Sequence, residues 1–558
     1  MADLQPTYST DKERLYFTSF HELMTRRVAE ILLVSSPYDA FIMQEDGRLS
    51  ERIIHEYKGL NLTRPPRLFW VSSACQAMAA LDSRSYDIVI VMPHISDMDA
   101  YELCATIKER FSDMAVYYFA YDVRTLMENE KWLRENKQLL LKNTKRCDRG
   151  VIDRIFIWSG NTDLLMALVK NREDLLNVDH DTQLADVRVI IVVEDSPLYL
   201  SSILPYIYKE IVMQTQAVMD DSLNENDRIL RMRTRPKILV AENYEEALNL
   251  YRKYSKYLLC VISDVRYPRE CKDDPEAGIR LLKRIRKEIP DIPLLMLSSE
   301  ARNKEKAENI PAFFLDKLSP SLHADIRYFL VHFLGFGDFI FRLNDGTVVA
   351  RASNIRSMSS ILHSVPPESI VYHANRNDFS RWFMARFEMQ LASKIRPMML
   401  SDFASIRHLK EYLRTLIRNK LKIRQKGLVS DFIKEEFDPE SDFVKIGRGS
   451  LGGKARGLAF ISNLFREQSE FQEKFPDVDI TLPKTVVITT EGFDDFETLN
   501  NTRAFLKTIK SDKEIIDHFK TSDFPDWLSH DLKTYLKHVK YPLAVRSSAI
   551  LEDAHYRP

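Results

Sequence analysis

Four apolar runs between residues 189 and 316 fail to alternate with polar residues, and this constrains the fold more than any other feature of the chain. They are Val189–Val193, Leu258–Ile262, Pro293–Leu297 and Ala312–Leu315. Each is of strand length. A run that is apolar at every position suits a strand covered on both faces in a parallel sheet. Each run also leads into a group able to do chemistry. Glu194 and Asp195 close the first, Asp264 the second, Ser298 the third, and Asp316 followed by Lys317 the fourth. Ligands of open α/β sheets gather at the carboxyl ends of the strands, so these groups are predicted to share one rim. Clustered carboxylates repel unless a hard cation sits among them, and Mg²⁺ prefers oxygen ligands in octahedral geometry. A hydroxyl and an ammonium beside them can neutralise a phosphoryl group arriving at Asp264.

This pattern resembles the receiver domain of two-component response regulators. The resemblance implies a flavodoxin-like, five-stranded parallel sheet over residues 188–335. It makes Asp264 the phosphoacceptor, with Ser298 and Lys317 as the other catalytic groups. Glu194, Asp195 and Asp264 become the Mg²⁺ ligands, and Phe314 the aromatic that changes rotamer on activation. A sensor histidine kinase or a small phosphodonor is the implied partner. Two departures stand out. Leu318 follows Lys317 where the family usually has Pro, and extra residues within 269–276 lengthen the loop after Asp264.

Residues 29–175 repeat the pattern in degraded form, and a repeat of this length is informative. Ile31–Val34 is followed by Ser35-Ser36 in place of the acidic pair. Arg67–Val71 resembles Pro236–Val240. Asp87–Val91 ends in Met92 in place of Asp264, and Val116–Phe119 is followed by Ala120. The lysine position falls near Trp158 or Ser159. Met98–Leu103 resembles the stretch that comes after the phosphoacceptor of ordinary receivers. The expectation is a pseudo-receiver that binds or docks, with Asp39, Asp97 and Asp99 as solvated turn residues.

Residues 1–28 are predicted to form an amphipathic helix carrying Leu15, Phe17, Phe20, Leu23 and Met24 on one side. Residues 176–187 are polar and acidic and read as a short linker. Residues 336–435 read as an α+β, mostly helical connector that opens with a hairpin around Asn344-Asp345-Gly346. Its last helix, Phe403–Lys426, is basic. Binding DNA through that helix is an alternative function, but no helix-turn-helix punctuation accompanies it, and a solvated face is the better reading. His363, His373 and His408 lack partner spacing and read as structural. The net charge of −1 gives no global field for nucleic acid. Five scattered cysteines point to reduced thiols in the cytoplasm. No apolar run is long enough to span a membrane. Nothing selects a face for homodimerisation, which stays open.

Residues 440–558 carry a second set of motifs. Ile446–Phe460 is a glycine-rich loop running into a helix, and glycines there let backbone approach a phosphate at a helix N-terminus. Thr481–Phe493 reads as a strand and turn. Leu543–Asp553 reads as a strand followed by basic, hydroxyl and acidic groups. In this order they resemble the N-terminal ATP-binding domain of the pyruvate, phosphate dikinase and phosphoenolpyruvate synthase family. The resemblance implies a partial ATP-grasp-like domain in which Lys454 and Arg546 contact ATP. Arg456 and Gly457 depart from the family's usual pattern. The sequence stops at Pro558 inside a motif, so a longer parent is expected, in which ATP phosphorylates a histidine that passes the group to pyruvate. The whole reads as a phosphorelay response regulator controlling a dikinase-like phosphotransferase. The alternatives are a signalling scaffold without catalysis, or a nucleotide sensor.

Overall fold

The computed structural model describes residues 22–45, 65–122, 151–219, 233–386, 388–425, 429–432, 434, 437, 441, 443–467, 478, 482–508 and 511–547. The predicted N-terminal helix lies outside them except for its end. There Leu23 is buried beside Ala185 and Val187, and the Met24 amide donates to Asp181.

The first domain is a parallel sheet of β1 (Glu30–Val34), β2 (Arg67–Val71), β3 (Ile88–Val91), β4 (Ala115–Ala120) and β5 (Arg154–Ile157), ordered 2-1-3-4-5. Helices α1 (Pro37–Glu45), α2 (Ala74–Ser83) and α3 (Ala100–Arg110) connect the strands, and α4 (Asp163–Ala185) comes after β5. β3 and β4 are buried at every position, as expected where helices cover both faces. Asp97 and Asp99 are exposed turn acids, as expected, and both also accept from amides at helix starts. Asp97 accepts from the Ala74 and Cys75 amides, and Asp99 accepts from Tyr101 and Glu102 at the start of α3. Such caps satisfy amides that the first helical turn leaves unpaired. Asp39 is buried, not solvated, and accepts from the Ser36 hydroxyl.

Residues 176–187 are not a linker. Most of the stretch is the C-terminal half of α4, which runs unbroken to Ala185. Three polar residues of the stretch face a partner rather than water: Asn177, Asp181 and Thr182 are buried, while Asp179, His180, Gln183 and Asp186 are exposed. Composition alone does not distinguish the two sets.

The second domain repeats the topology. Its sheet comprises β6 (Val189–Val193), β7 (Lys237–Ala241), β8 (Leu258–Asp264), β11 (Leu294–Ser298) and β12 (Phe313–Asp316), again with the first strand between the second and third. The helices are α5 (Pro197–Met219), α6 (Tyr244–Tyr254), α7 (Ala277–Glu288), α8 (Asn303–Glu308) and α9 (Leu322–His332). α6 shows how sequence sets a helix. Asn243 caps it by accepting from the Glu246 amide, acids fill the first turn, and Arg252 and Lys253 the last, matching the helix dipole. The lengthened loop after Asp264 is a small antiparallel hairpin, β9 (Tyr267–Arg269) with β10 (Lys272–Asp274). At its tip Glu270 and Cys271 both have positive φ, 51° and 62°, the conformation of a tight hairpin turn. Cys75, Cys104 and Cys260 are free thiols.

The connector opens with the hairpin β13 (Phe339–Arg342) and β14 (Val348–Ala352), whose turn uses Gly346 at φ 89°. Helices α10 (Ile355–Ser364), α11 (Pro367–Ala374), α12 (Asp378–Ala385), α13 (Met389–Ile395) and α14 (Ile406–Gln425) close over a core of Phe339, Phe341, Trp382, Phe383, Leu413 and Leu416. α14 is the predicted basic helix. Its Lys420 is buried beside Glu388 and Gln390, and Lys410 donates to the Val365 carbonyl. Those two cations serve packing.

The last region holds a three-stranded parallel sheet, β15 (Ser430–Asp431), β16 (Phe443–Ile446) and β17 (Thr485–Ile488). Helix α15 (Gly453–Glu467) comes after β16, α16 (Thr490–Leu499) after β17, and α17 (Thr502–Leu506), α18 (Asp512–Thr521) and α19 (Asp526–His538) complete it. Leu543–Val545, expected as a strand, is not one: residues 541–547 are exposed, and Val545 has no covering neighbour at 95% exposure. A strand is stable only when a neighbour pairs its backbone and covers a face. No helix among the described residues is long and apolar enough to cross a membrane.

Candidate phosphoryl-acceptor site and nucleotide loop

The strand register brings the rim groups of the second domain together. Leu297 on β11 stands opposite Asp264 on β8, and Ser298 stands opposite Asp316 on β12. One step beyond β6, Glu194 and Asp195 lie at the same edge. Glu194, Asp195 and Asp264 each offer a carboxylate oxygen within 4.8 Å of the others. Lys317 Nζ bridges two of them, 2.6 Å from Glu194 Oε2 and 2.8 Å from Asp264 Oδ2.

Each side chain is held. The Val265 amide donates to Asp264 Oδ1 at 2.6 Å, and the Ser196 amide to Glu194 Oε1 at 3.2 Å. Lys317 lies over the Tyr199 ring at 4.5 Å, a favourable place for an ammonium. Ser298 Oγ accepts from Asn303 Nδ2 at 3.0 Å and from the Glu300 amide at 3.1 Å. With both lone pairs engaged, its hydroxyl hydrogen is free to be donated. Phe314 packs at the edge of the core, beside the register partner Met296. Sequence reasoning does not find Asn303 and Tyr199, because neither lies at a strand end.

Electrostatics follow from burial. Burial, and after it the Asp264 charge, pushes Glu194 up to about 7 against the pull of Lys317. Burial and then Asp264 push Asp195 up to about 6. Burial would lower the Lys317 ammonium, but the Glu194 and Asp264 carboxylates outweigh it and hold the group above the ordinary lysine value. The cluster is thus charge-frustrated in a way that a small hard cation relieves, and its donor set fits Mg²⁺.

Gly278 is needed here for space. A Cβ on it would lie 1.9 Å from the Asp264 carbonyl oxygen, so α7 presses directly on the end of β8.

In the first domain the matching rim has lost this chemistry. Ser35 and Met92 are buried, and the Trp70 indole donates to Ser35 Oγ at 3.0 Å. His94 stacks on Tyr121. No carboxylate replaces Asp264 there.

The glycine loop lies between β16 and α15. Gly447, Gly449 and Gly452 all have positive φ, which L-residues with a Cβ adopt poorly. The loop is tied to the start of α16. Thr489 Oγ1 donates to the Arg448 carbonyl at 2.5 Å, the Ser450 amide donates to Thr490 Oγ1 at 3.1 Å, and the Arg448 amide donates to Glu491. The strand-and-turn pattern around Thr489, Thr490 and Glu491 does not by itself reveal that role. Lys454 is exposed in the first turn of α15, as a phosphate-binding lysine needs. Arg546 lies on the exposed segment after α19, and no contact of the structure joins it to the loop among the described residues.

Known proteins share parts of this architecture. Residues 448–557 match the family model for the pyruvate phosphate dikinase AMP/ATP-binding domain. No curated protein matches. Among solved structures, the chain is similar to the signal receiver domain of an HD domain-containing protein from Pseudomonas fluorescens Pf-5. That match has 23% identity, 28% of this chain, 97% of that one and a TM-score of 0.19. It is also similar to a putative two-component response regulator/GGDEF domain protein, with 15% identity, 54% of this chain, 98% of that one and a TM-score of 0.24. A third is the phosphorylated cyanobacterial phytochrome response regulator RcpA, with 18% identity, 26% and 93% coverage and a TM-score of 0.18. The chain therefore joins two domains of receiver topology to a segment of the pyruvate phosphate dikinase AMP/ATP-binding family.

Proposed function

We propose that this protein is a phosphorelay response regulator whose second receiver domain, phosphorylated on Asp264, controls a dikinase-like ATP-dependent phosphotransferase module. The observation that carries the reading is the cluster of Glu194, Asp195 and Asp264 with Lys317 bridging Asp264 and Glu194.

The residues divide the work. An Asp264 carboxylate oxygen attacks the phosphorus of a phosphohistidine or a small acyl phosphate, and the bond from phosphorus to the donor's leaving atom breaks. Mg²⁺ held by Glu194, Asp195 and Asp264 would neutralise part of the phosphoryl charge. Lys317 releases its pairing with Asp264 to meet a phosphoryl oxygen, and Ser298 donates its hydroxyl hydrogen to another. Both interactions strengthen as charge builds on the transferred group. Drawing Ser298 toward the phosphate vacates space into which Phe314 turns, altering the surface around β12 and α9 that leads to the connector. In the dikinase-like module, Lys454 and Arg546 contact ATP. Where such a module is joined to a phosphohistidine carrier, the phosphoryl group passes through that histidine to pyruvate. A sensor histidine kinase is the proposed donor.

The test is intact mass after incubation with acetyl phosphate, with and without Mg²⁺, beside Asp264→Asn. One Mg²⁺-dependent phosphoryl adduct absent from the variant is expected. An adduct that persists in Asp264→Asn, or none in a folded protein supplied with either acetyl phosphate or a phosphorylated histidine kinase, would sink the reading.

A further inference from the structure

The proposed phosphorelay makes no use of the cleft between α9 and the connector. It encloses about 290 Å³, and ligand sites begin at about 300 Å³ and favour domain junctions. One wall is the end of α9, with Tyr328 and His332. The others are β13, with Arg342, and the α11–α12 corner, with Tyr372, Arg376 and Arg381.

The charges in the cleft do not balance. Asp378 alone serves three partners: His373 Nδ1 at 2.7 Å and the guanidinium groups of Arg381 at 3.5 Å and Arg376 at 3.6 Å. Arg342 faces them with no carboxylate at ion-pair distance among the described residues, and its guanidinium reaches the Gly346 carbonyl at 3.5 Å. Asp338, exposed at the rim, is the second carboxylate. Three guanidinium groups against two carboxylates leave an excess of one positive charge. The same field acts on His332: burial, then Arg342 and Arg351, hold its imidazole below the ordinary value, so it adds no charge near neutrality. An excess this small suits a single phosphate rather than a polyphosphate chain. Guanidinium groups are the side chains best shaped to grip one.

The cleft also has flat apolar surface. Tyr328 packs against His332 at 4.4 Å between ring centroids and is still 51% exposed, which leaves part of a ring open to a further stacking partner. Arg376 lies over the Tyr372 ring at 5.1 Å. Rings beside guanidinium groups are the arrangement on which nucleobases stack while phosphate is held.

We propose that this cleft binds a nucleoside monophosphate, its base against Tyr328 and Tyr372 and its phosphate on Arg342 and Arg376. The ligand would clamp α9, the helix next in the chain after the strand bearing Phe314, to the connector. It would thereby set how firmly the second receiver is held to the connector.

Titration of the full chain with AMP and GMP by calorimetry tests this, with ribose 5-phosphate as the base-less probe. Binding should weaken at least about tenfold in Arg342→Ala and in Arg376→Ala, the loss of a charge-assisted hydrogen bond. It should weaken in Tyr328→Ala and persist in Lys454→Ala, which separates it from the glycine loop. Arg376 and Tyr328 are exposed, so these variants should melt like the wild type. No binding of either nucleotide would overturn the proposal. So would affinity unchanged in both arginine variants, binding lost in Lys454→Ala, or ribose 5-phosphate binding as tightly as AMP.

Discussion

Lys317 occupies the oxygens that a cation would need. Its Nζ contacts Asp264 and Glu194 at 2.8 and 2.6 Å, and its side chain is 3% exposed. Removing the ammonium leaves three acids crowded at a buried rim, and breaking a buried pair costs about 3–5 kcal/mol. Lys317→Met should therefore be markedly less stable than wild type in chelator. It should then recover more stability on adding Mg²⁺ than wild type gains, because the cation no longer competes with a lysine. Thermal melts across a Mg²⁺ series check this; equal Mg²⁺ responses would show that the acids do not share a cation. These rim residues are legible in the sequence because each ends a run of apolar residues, and a parallel sheet puts all such ends on one edge. Asn303, which orients Ser298, and Tyr199, beneath Lys317, are not. Their roles arise from helices folding back over the rim, and helical spacing does not record that. Arg546 is legible as part of a motif, but its exposed segment lacks the neighbour that would place it.

At the scale of elements, the sheets are readable and the boundaries between them are not. Apolar runs without alternation give β6, β8, β11 and β12 directly. The acidic stretch after residue 175 reads as a linker because a polar residue facing a buried partner looks, in sequence, like one facing water. The loop after Asp264 shows its extra length but not its form as the hairpin β9–β10. Just beyond it, α7 begins so close to β8 that Gly278 is obligatory. A methyl group at 1.9 Å from the Asp264 carbonyl cannot be absorbed by a side-chain rotation, because the obstacle is backbone. Gly278→Ala should cost at least about 3 kcal/mol, the upper range for overpacking. It should also slow phosphorylation of Asp264 in whatever protein folds, since α7 can relieve the clash only by shifting that strand end. Denaturant melts with acetyl phosphate labelling read both effects. Wild-type stability and labelling would mean that the helix start is free to move.

Across the whole molecule, the two receiver-like domains share one hydrophobic core. A single cluster runs from Ile31, Ile90 and Phe156 in the first to Ile190, Ile207 and Phe329 in the second. Helix α4 is the bridge. Its Asp174, fully buried, pairs with Arg235 at 2.8 Å and accepts from the Ile238 amide at 3.0 Å and from the Tyr208 hydroxyl at 2.8 Å. Asp181 pairs with Lys237 at 2.8 Å, both fully buried. Beside them Arg154 of β5 reaches Glu242 at 2.6 Å and the Val240 carbonyl at 2.7 Å. The degenerate domain thus supplies the charges that neutralise Arg235 and Lys237 of its neighbour, and the second domain is incomplete without α4. Asp174→Ala in residues 22–335 should lose about 3–5 kcal/mol, because it strands a buried guanidinium. A protein beginning at residue 188 lacks α4 and should unfold at distinctly lower denaturant than one beginning at residue 22, which should unfold in a single cooperative transition. Equal midpoints for the two would mean that the domains fold independently. The loss of acid chemistry at Met92 would then say nothing about why the first domain is kept. Unequal midpoints give that domain a physical role: it is the surface on which the second domain completes its core.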